Sequence, residues 1–174
     1  MAPLTAKDMI DRVLSHEGGF TNDPNDPGNY TPEGKLLGTK YGISARSYPT
    51  LDIPNITREA AIDIYEKDFY NRNHLTSLLP AAAFHVLDAA VNHGRGNAIR
   101  WMQEALKVAP DGKVGPITKE KMLKLKPDQI DSFILLYSAI RLEFYTKLDK
   151  FNIYGKGWVR RTAKNMRLAA EDLE

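Results

Sequence analysis

Pro80-Ala81-Ala82-Ala83-Phe84-His85-Val86-Leu87-Asp88-Ala89-Ala90-Val91-Asn92-His93-Gly94 is apolar on nearly every side when wound as a helix. Proline suits a first helical turn, where its missing N–H costs nothing. Gly94 suits the stop. A helix with no polar face has to be covered all round. The stretch therefore predicts a mainly α protein whose other helices surround a central, buried one. Asp88 and Asn92 are its polar exceptions, four residues apart on one face. Buried polar groups need partners. They hold a site in place or support the fold; contact with a ligand is the alternative.

Apolar spacing places the surrounding helices. Residues 5–17 read as a first helix, opened by Thr5 and Asp8 in the form of a capping box. It carries Ile10, Val13 and Leu14 on one face. Thr57 caps a helix to about Asn71 with Ala60, Ala61, Ile64, Tyr65 and Phe69 inward. Residues 97–108 give another, with Ile99, Met102 and Leu106 inward. Asp111-Gly112-Lys113-Val114-Gly115-Pro116 is a turn whose proline opens a short helix. Residues 128–149 and 158–173 complete the count, about seven helices with almost no strand. Residues 20–50 are crowded with Pro, Gly, Asn and Asp, which no helix crosses. They read as an irregular lobe after helix 1, with Tyr41-Gly42-Ile43-Ser44 a short strand in a small hairpin.

The 174 residues fit one domain, or one with a small appendage. The chain has no cysteine, which excludes disulfides, zinc-thiolate sites and a thiol nucleophile. The first twenty residues lack the apolar run of a secretory signal, and no stretch reads as a membrane span. His16, His74, His85 and His93 have no metal-ligand spacing, and the Asp-rich turns lack the pattern of a calcium loop. No metal or cofactor is expected. Residues 1–90 carry 8 basic and 12 acidic side chains, a balance of −4, whereas residues 91–174 carry 16 and 10, a balance of +6. The basic half suits an anionic partner. No nucleic-acid-binding motif appears, so nucleic acid is not expected among its partners.

Ser15-His16-Glu17-Gly18-Gly19-Phe20 carries the chemistry. Seven residues after Ile10 the apolar face of helix 1 presents Glu17, and two glycines then stop the helix. Desolvation and the negative end of the helix dipole both favour the neutral acid there, the form a general acid requires. A plain helix-end residue is the alternative. Asp26 lies on the polar lobe, with Asp23 its rival and an Asx-turn role the structural alternative.

Glu17-Gly18-Gly19-Phe20, then Asn22-Asp23-Pro24-Asn25-Asp26-Pro27-Gly28, then Thr39-Lys40-Tyr41-Gly42-Ile43, resembles glycoside hydrolase family 108. Leu87-Asp88-Ala89-Ala90-Val91-Asn92-His93-Gly94 is similar to that family's central helix. Asp111 to Thr118, Arg141 with Phe144-Tyr145, and Gly157-Trp158-Val159-Arg160-Arg161 resemble the peptidoglycan-binding region usually fused behind it. The resemblance implies a lysozyme-like fold: a catalytic region over 1–92 and a helical peptidoglycan-binding region over 93–174, packed as a single unit. It implies a phage-endolysin-type N-acetylmuramidase that cleaves the β-1,4 bond between N-acetylmuramic acid and N-acetylglucosamine without a cofactor. Glu17 maps onto the catalytic glutamate, and Asp26 and Thr39 onto the residues around the attacking water. Thr31 competes with Thr39. Tyr41 and Phe20 are candidates for stacking on sugar rings or for packing the lobe, and Asp88 and Asn92 for supporting the site.

A buried acid and a solvated carboxylate are the division of labour that glycoside cleavage uses. Their separation, roughly 6.5–9.5 Å or 5–5.5 Å, decides between inversion and retention. A lytic transglycosylase and a non-catalytic wall-binding or secretion-helper protein are the rival readings. The expected setting is a monomer, cytoplasmic until a holin or another route releases it to the wall. In the last helix Val159, Ala163, Met166, Ala170 and Leu173 make an apolar stripe. Arg160, Arg161, Lys164 and Arg167 lie off it, with Lys156 just before. That helix is either packed with a solvated basic face or drawn to an anionic envelope.

Overall fold

The computed structural model describes residues 4–173. Among the described residues the fold is mainly α, with seven helices and a small hairpin. The helices are α1 (Ala6–Leu14), α2 (Arg58–Tyr65), α3 (Pro80–His93), α4 (Arg95–Ala105), α5 (Pro116–Leu123), α6 (Ile130–Thr146) and α7 (Phe151–Leu173). Strands β1 (Thr39–Lys40) and β2 (Ile43–Ser44) pair antiparallel. The chain forms two compact units, one over Ala6–Asp68 and one built on the chain from Phe69 onward.

In the first unit α1 buries Met9, Ile10, Val13 and Leu14 and packs against α2. Thr57 caps α2 as expected, its hydroxyl accepting from the Ala60 N–H at 3.1 Å. The buried face of α2 is Ala61, Ile62 and Tyr65, a position round from the Ala60 and Ile64 that spacing suggested. The helix then widens into a π turn, Glu66–Asn71, so the regular 3.6 period fails beyond Tyr65. The lobe between α1 and α2 holds its shape by backbone bonds. Thr21 and Thr39 exchange N–H···O bonds of 2.9 and 2.8 Å, and the Leu37 and Gly38 amides both donate to the Asn29 carbonyl. The buried Asn29 side chain donates back to the Asp23 carbonyl at 3.0 Å.

In the second unit α3 is buried from Ala81 to Ala90 and is covered by α4, α6 and α7. Asp88 is fully buried, and each of its oxygens takes one guanidinium N–H: Arg141 Nη1 at 2.7 Å and Arg161 Nε at 2.8 Å. Asn92, exposed, donates to the Asp88 carbonyl at 2.6 Å. The loop before α5 hangs on Gln103. Its Nε2 donates to Asp111 Oδ1, the Lys113 carbonyl and Thr118 Oγ1, and its Oε1 accepts from the Gly112 N–H at 2.8 Å.

Two features of α7 differ from the expected 158–173 helix. It begins at Phe151 and runs through Gly155 and Gly157, although glycine is a poor helix former. Packing accounts for Gly155, which is buried beneath the Phe151 ring; an added β-carbon would lie 2.6 Å from Phe151 Cδ2. The buried face of α7 is also not the expected apolar stripe. It is Gly155, Thr162, Asn165 and Ala169. Arg161, drawn in by Asp88, sets that rotation and turns Val159, Ala163 and Ala170 outward.

The charges around Asp88 make this unit sensitive to acid. Burial alone would raise the Asp88 carboxyl, but the two guanidiniums outweigh it and hold the group below the usual range. Burial, assisted by the Arg141 charge, pushes His85 down to about 4, and His93 is held at about 4 by the same two causes. A folded histidine that stays neutral while its unfolded form protonates stabilises the fold above pH ~6.5 and loses that stabilisation as pH falls towards its folded value. Stability is therefore expected to drop between pH ~6.5 and 4, with His85 alone accounting for ~3 kcal/mol. The Asp88 contribution goes only at lower pH. Urea unfolding across that range tests this, and His85→Gln is expected to flatten the slope. Asp88→Asn, which leaves Arg141 buried and unpaired by charge, is expected to cost about 3 kcal/mol or more at pH 7.

Candidate active site

Glu17 lies just beyond α1. The helix ends at Leu14, and two tight i→i−3 bonds carry the chain on: His16 N–H to the Val13 carbonyl and Glu17 N–H to that of Leu14, at 3.0 and 3.1 Å. Glu17 is half-buried, at the edge of the α1 core and not inside it.

The group opposite is the hairpin turn. β1 and β2 are registered Thr39 to Ser44 and Lys40 to Ile43, which leaves a two-residue turn, Tyr41-Gly42. Both turn residues have positive φ, 52° and 73°, the conformation whose twist matches an antiparallel pair. Tyr41 takes up this strained geometry, and the buried Tyr65 of α2 holds it there by donating its hydroxyl to the Tyr41 carbonyl at 2.9 Å. At Gly42 the Glu17 carboxylate and the Tyr65 hydroxyl converge. A β-carbon on Gly42 would lie 2.9 Å from Glu17 Oε2 and 2.6 Å from Tyr65 Oη. Glu17, the Tyr41-Gly42 turn and Tyr65 thus form one close-packed group.

The remaining candidates of this unit have local duties. Asp26 is exposed, and one carboxylate oxygen accepts from the Gly28 N–H at 2.8 Å, capping the turn Pro27–Asn29. Asp23 does the same for Asn25, accepting from its N–H and its side chain, each at 2.9 Å. Both make the Asx-type turns that aspartate favours beside proline. The backbone of Thr39 is consumed by the Thr21 bridge and the hairpin. Thr31 is buried, and its hydroxyl oxygen accepts from the Lys35 N–H at 3.2 Å. The Phe20 ring lies on Gly38, where a β-carbon would stand 2.6 Å from Phe20 Cε2, yet Phe20 remains 45% exposed. Tyr41 is half-buried, with Lys40 Nζ 5.6 Å from its ring centroid. Asp88 and Asn92 belong to the second unit. The Asp88 carboxylate is spent on its two arginines, the structural one of its two readings.

Sequence spacing missed Gly42 and Tyr65 as parts of the site. Tyr65 reads as one more apolar residue of a helix face. The signal was its hydroxyl, which needs a partner when the ring is buried. Among the described residues no three His, Cys, Asp or Glu side chains gather as a metal site. A carboxyl group walled by a turn and a phenol oxygen is the kind of group that can exchange a proton with a molecule bound against it.

Comparison with known proteins bears on that chemistry. Residues 10–94 match the family described as Glycosyl hydrolase 108. The match spans Glu17, Asp26, Thr39, Gly42 and Tyr65, and it supports a glycoside hydrolase. Across nearly its whole length the chain is similar to a solved structure, SagA of Brucella abortus. The two are 25% identical, the alignment covers 97% of this chain and 95% of that one, and the TM-score is 0.78. The fold is lysozyme-like. No curated protein sequence matches the chain.

The geometry predicts that Gly42→Ala is strained twice, by its φ and by contact with Glu17 and Tyr65. It is expected to cost on the order of 1–3 kcal/mol of stability and to lower glycan cleavage roughly 100-fold by displacing the carboxylate. Thermal unfolding and cleavage rates on one preparation separate the two effects.

Proposed function

We propose that this protein is a muramidase that hydrolyses the β-1,4 bond between N-acetylmuramic acid and N-acetylglucosamine in peptidoglycan. The observation that carries the reading is Glu17 Oε2 held against the Tyr41-Gly42 turn, within the segment that matches a glycosyl hydrolase family. In this reading Glu17 is the general acid. It gives its proton to the glycosidic oxygen as the C1–O bond breaks, and the departing sugar leaves as an alcohol. Positive charge gathers on C1 and its ring oxygen. Asp26, exposed on the polar lobe, faces that charge as a carboxylate or takes a proton from the attacking water, and the Thr39 hydroxyl holds that water. Water adds at C1, so one water is consumed for each bond broken. Tyr41 and the exposed Phe20 ring stack on sugar faces. No cofactor enters the reaction.

The same reading makes the protein an endolysin of phage or prophage type, a monomer that stays cytoplasmic until a holin or another route gives it access to the wall. The helices from α4 to α7 then serve as a peptidoglycan-binding region.

Digestion of purified peptidoglycan followed by mass analysis of the products is the test. Wild type is expected to release fragments with reducing N-acetylmuramic acid ends, each heavier by one water. Glu17→Gln is expected to lower the rate by roughly 10²–10⁴. Fragments with 1,6-anhydro ends would replace hydrolysis with lytic transglycosylation on the same acid. Binding of the wall without cleavage by wild type would leave a wall-binding or secretion-helper protein. The anomer first released reports inversion or retention.

A further inference from the structure

α7 carries two exposed features that neither the fold nor the proposed active site uses. The first is cationic. Lys156, Arg160, Lys164 and Arg167 are all exposed and recur at spacings of four, four and three. At 3.6 residues per turn they form one ridge on the side of α7 opposite its buried Gly155, Thr162 and Ala169. The ridge is about 16 Å long, and no acidic residue interrupts it between 156 and 167; Asp149 and Glu171 lie beyond its two ends. Arg161 is not part of it, because Asp88 holds that side chain inward.

The second feature is apolar and lies beside the ridge. The stripe Val159, Ala163, Ala170 and Leu173 faces outward, with Val159 40% and Leu173 41% exposed, and Leu135 of α6 adds a side chain 59% exposed. Shallow grooves flank it at both ends. One, of about 420 Å³, is lined by Ile134, Leu135, Met166, Ala169, Ala170 and Leu173 with Asp131. The other, of about 410 Å³, has Phe151, Gly155 and Val159 as its apolar wall and Lys156 and Arg160 as its cationic one.

We propose that this face of α7 docks on an anionic phospholipid surface. The ridge meets the phosphate headgroups, and the apolar stripe with its grooves seats the upper part of the acyl layer. Charge complementarity alone would suit any polyanion. The adjoining uncovered apolar stripe is what selects lipid, since a soluble polyanion gives that stripe nothing to bury against. The docking is peripheral, because no helix among the described residues is long and apolar enough to cross a membrane. It is independent of Glu17 and of the muramidase reading.

Co-sedimentation of the full chain with phospholipid vesicles tests it. Binding is expected to vesicles of phosphatidylcholine mixed with phosphatidylglycerol and not to phosphatidylcholine alone, and to weaken in high salt. A variant carrying K156Q, R160Q, K164Q and R167Q is expected to bind at least tenfold more weakly while keeping its circular dichroism and its thermal unfolding midpoint. Val159→Ser with Leu135→Ser is expected to weaken binding about threefold or more. As a control for net charge, K107Q, K113Q, K121Q and K126Q together are expected to bind close to wild type. Equal binding to neutral vesicles, or an equal loss in the control, would overturn the proposal. So would vesicle binding that survives the apolar change, or capture of long-chain polyphosphate with no capture of vesicles.

Discussion

The carboxylate of Asp88 organises the helical unit. It is the one charged group on a helix that is otherwise apolar all round, and it is fully buried. A buried carboxylate is tolerable only when cations and hydrogen bonds meet it. Arg141 comes from α6 and Arg161 from α7, one guanidinium on each oxygen. Each bond fixes the rotation of a helix about its axis as well as its distance. Once Arg161 points inward, Thr162 and Asn165 follow it and Val159 and Ala163 turn out. The surface chemistry of α7 is thus a consequence of an ion pair in the core. The positive charge of Arg141 also reinforces burial in keeping His85 and His93 neutral, and Arg161 adds to it at His93.

The unit over Ala6–Asp68 depends on a different kind of constraint. Its long lobe has almost no regular structure, and its shape comes from backbone bridges and side-chain caps. What must be exact there is the space around one carboxylate. A two-residue turn with positive φ at both positions brings bare backbone up to Glu17, and Tyr65 ties that turn to α2. Glycine at 42 is therefore a requirement of volume and of conformation together.

Much of this was legible in the chain. The mainly α class followed from the circumference of residues 80–94, and the seven helices from apolar spacing and proline-glycine punctuation. Thr57 and Pro116 begin their helices as their chemistry requires. Glu17 announced itself as an acid on an apolar face, although α1 stops three residues earlier and leaves it half-buried. The partners of Asp88 were not legible. They lie 53 and 73 residues along the chain, and no local pattern marks which arginine turns inward. The same gap hid the outward turn of the apolar stripe on α7, since spacing shows that a stripe exists but not whether something covers it. The helical state of 151–157 was hidden because packing of Phe151 over Gly155 overrides a weak local preference. For the site, the Lys-Tyr-Gly-Ile stretch pointed to Thr39 and Tyr41, but the approach of Gly42 to Glu17 is a long-range fact.

The Gln103 clasp has a bearing on how the protein ages. Asp111-Gly112 is the kind of dipeptide that rearranges to isoaspartate, because a glycine amide can reach back to attack the carboxyl carbon before it. Here that amide donates to Gln103 Oε1, and Asp111 Oδ1 is held by Gln103 Nε2 and by the Lys113 N–H, at 2.7 and 2.8 Å. Nucleophile and target are each tethered elsewhere, so ring closure has to wait for the clasp to open. A single glutamine side chain, one turn from the end of α4, thereby guards the covalent backbone of the loop it holds.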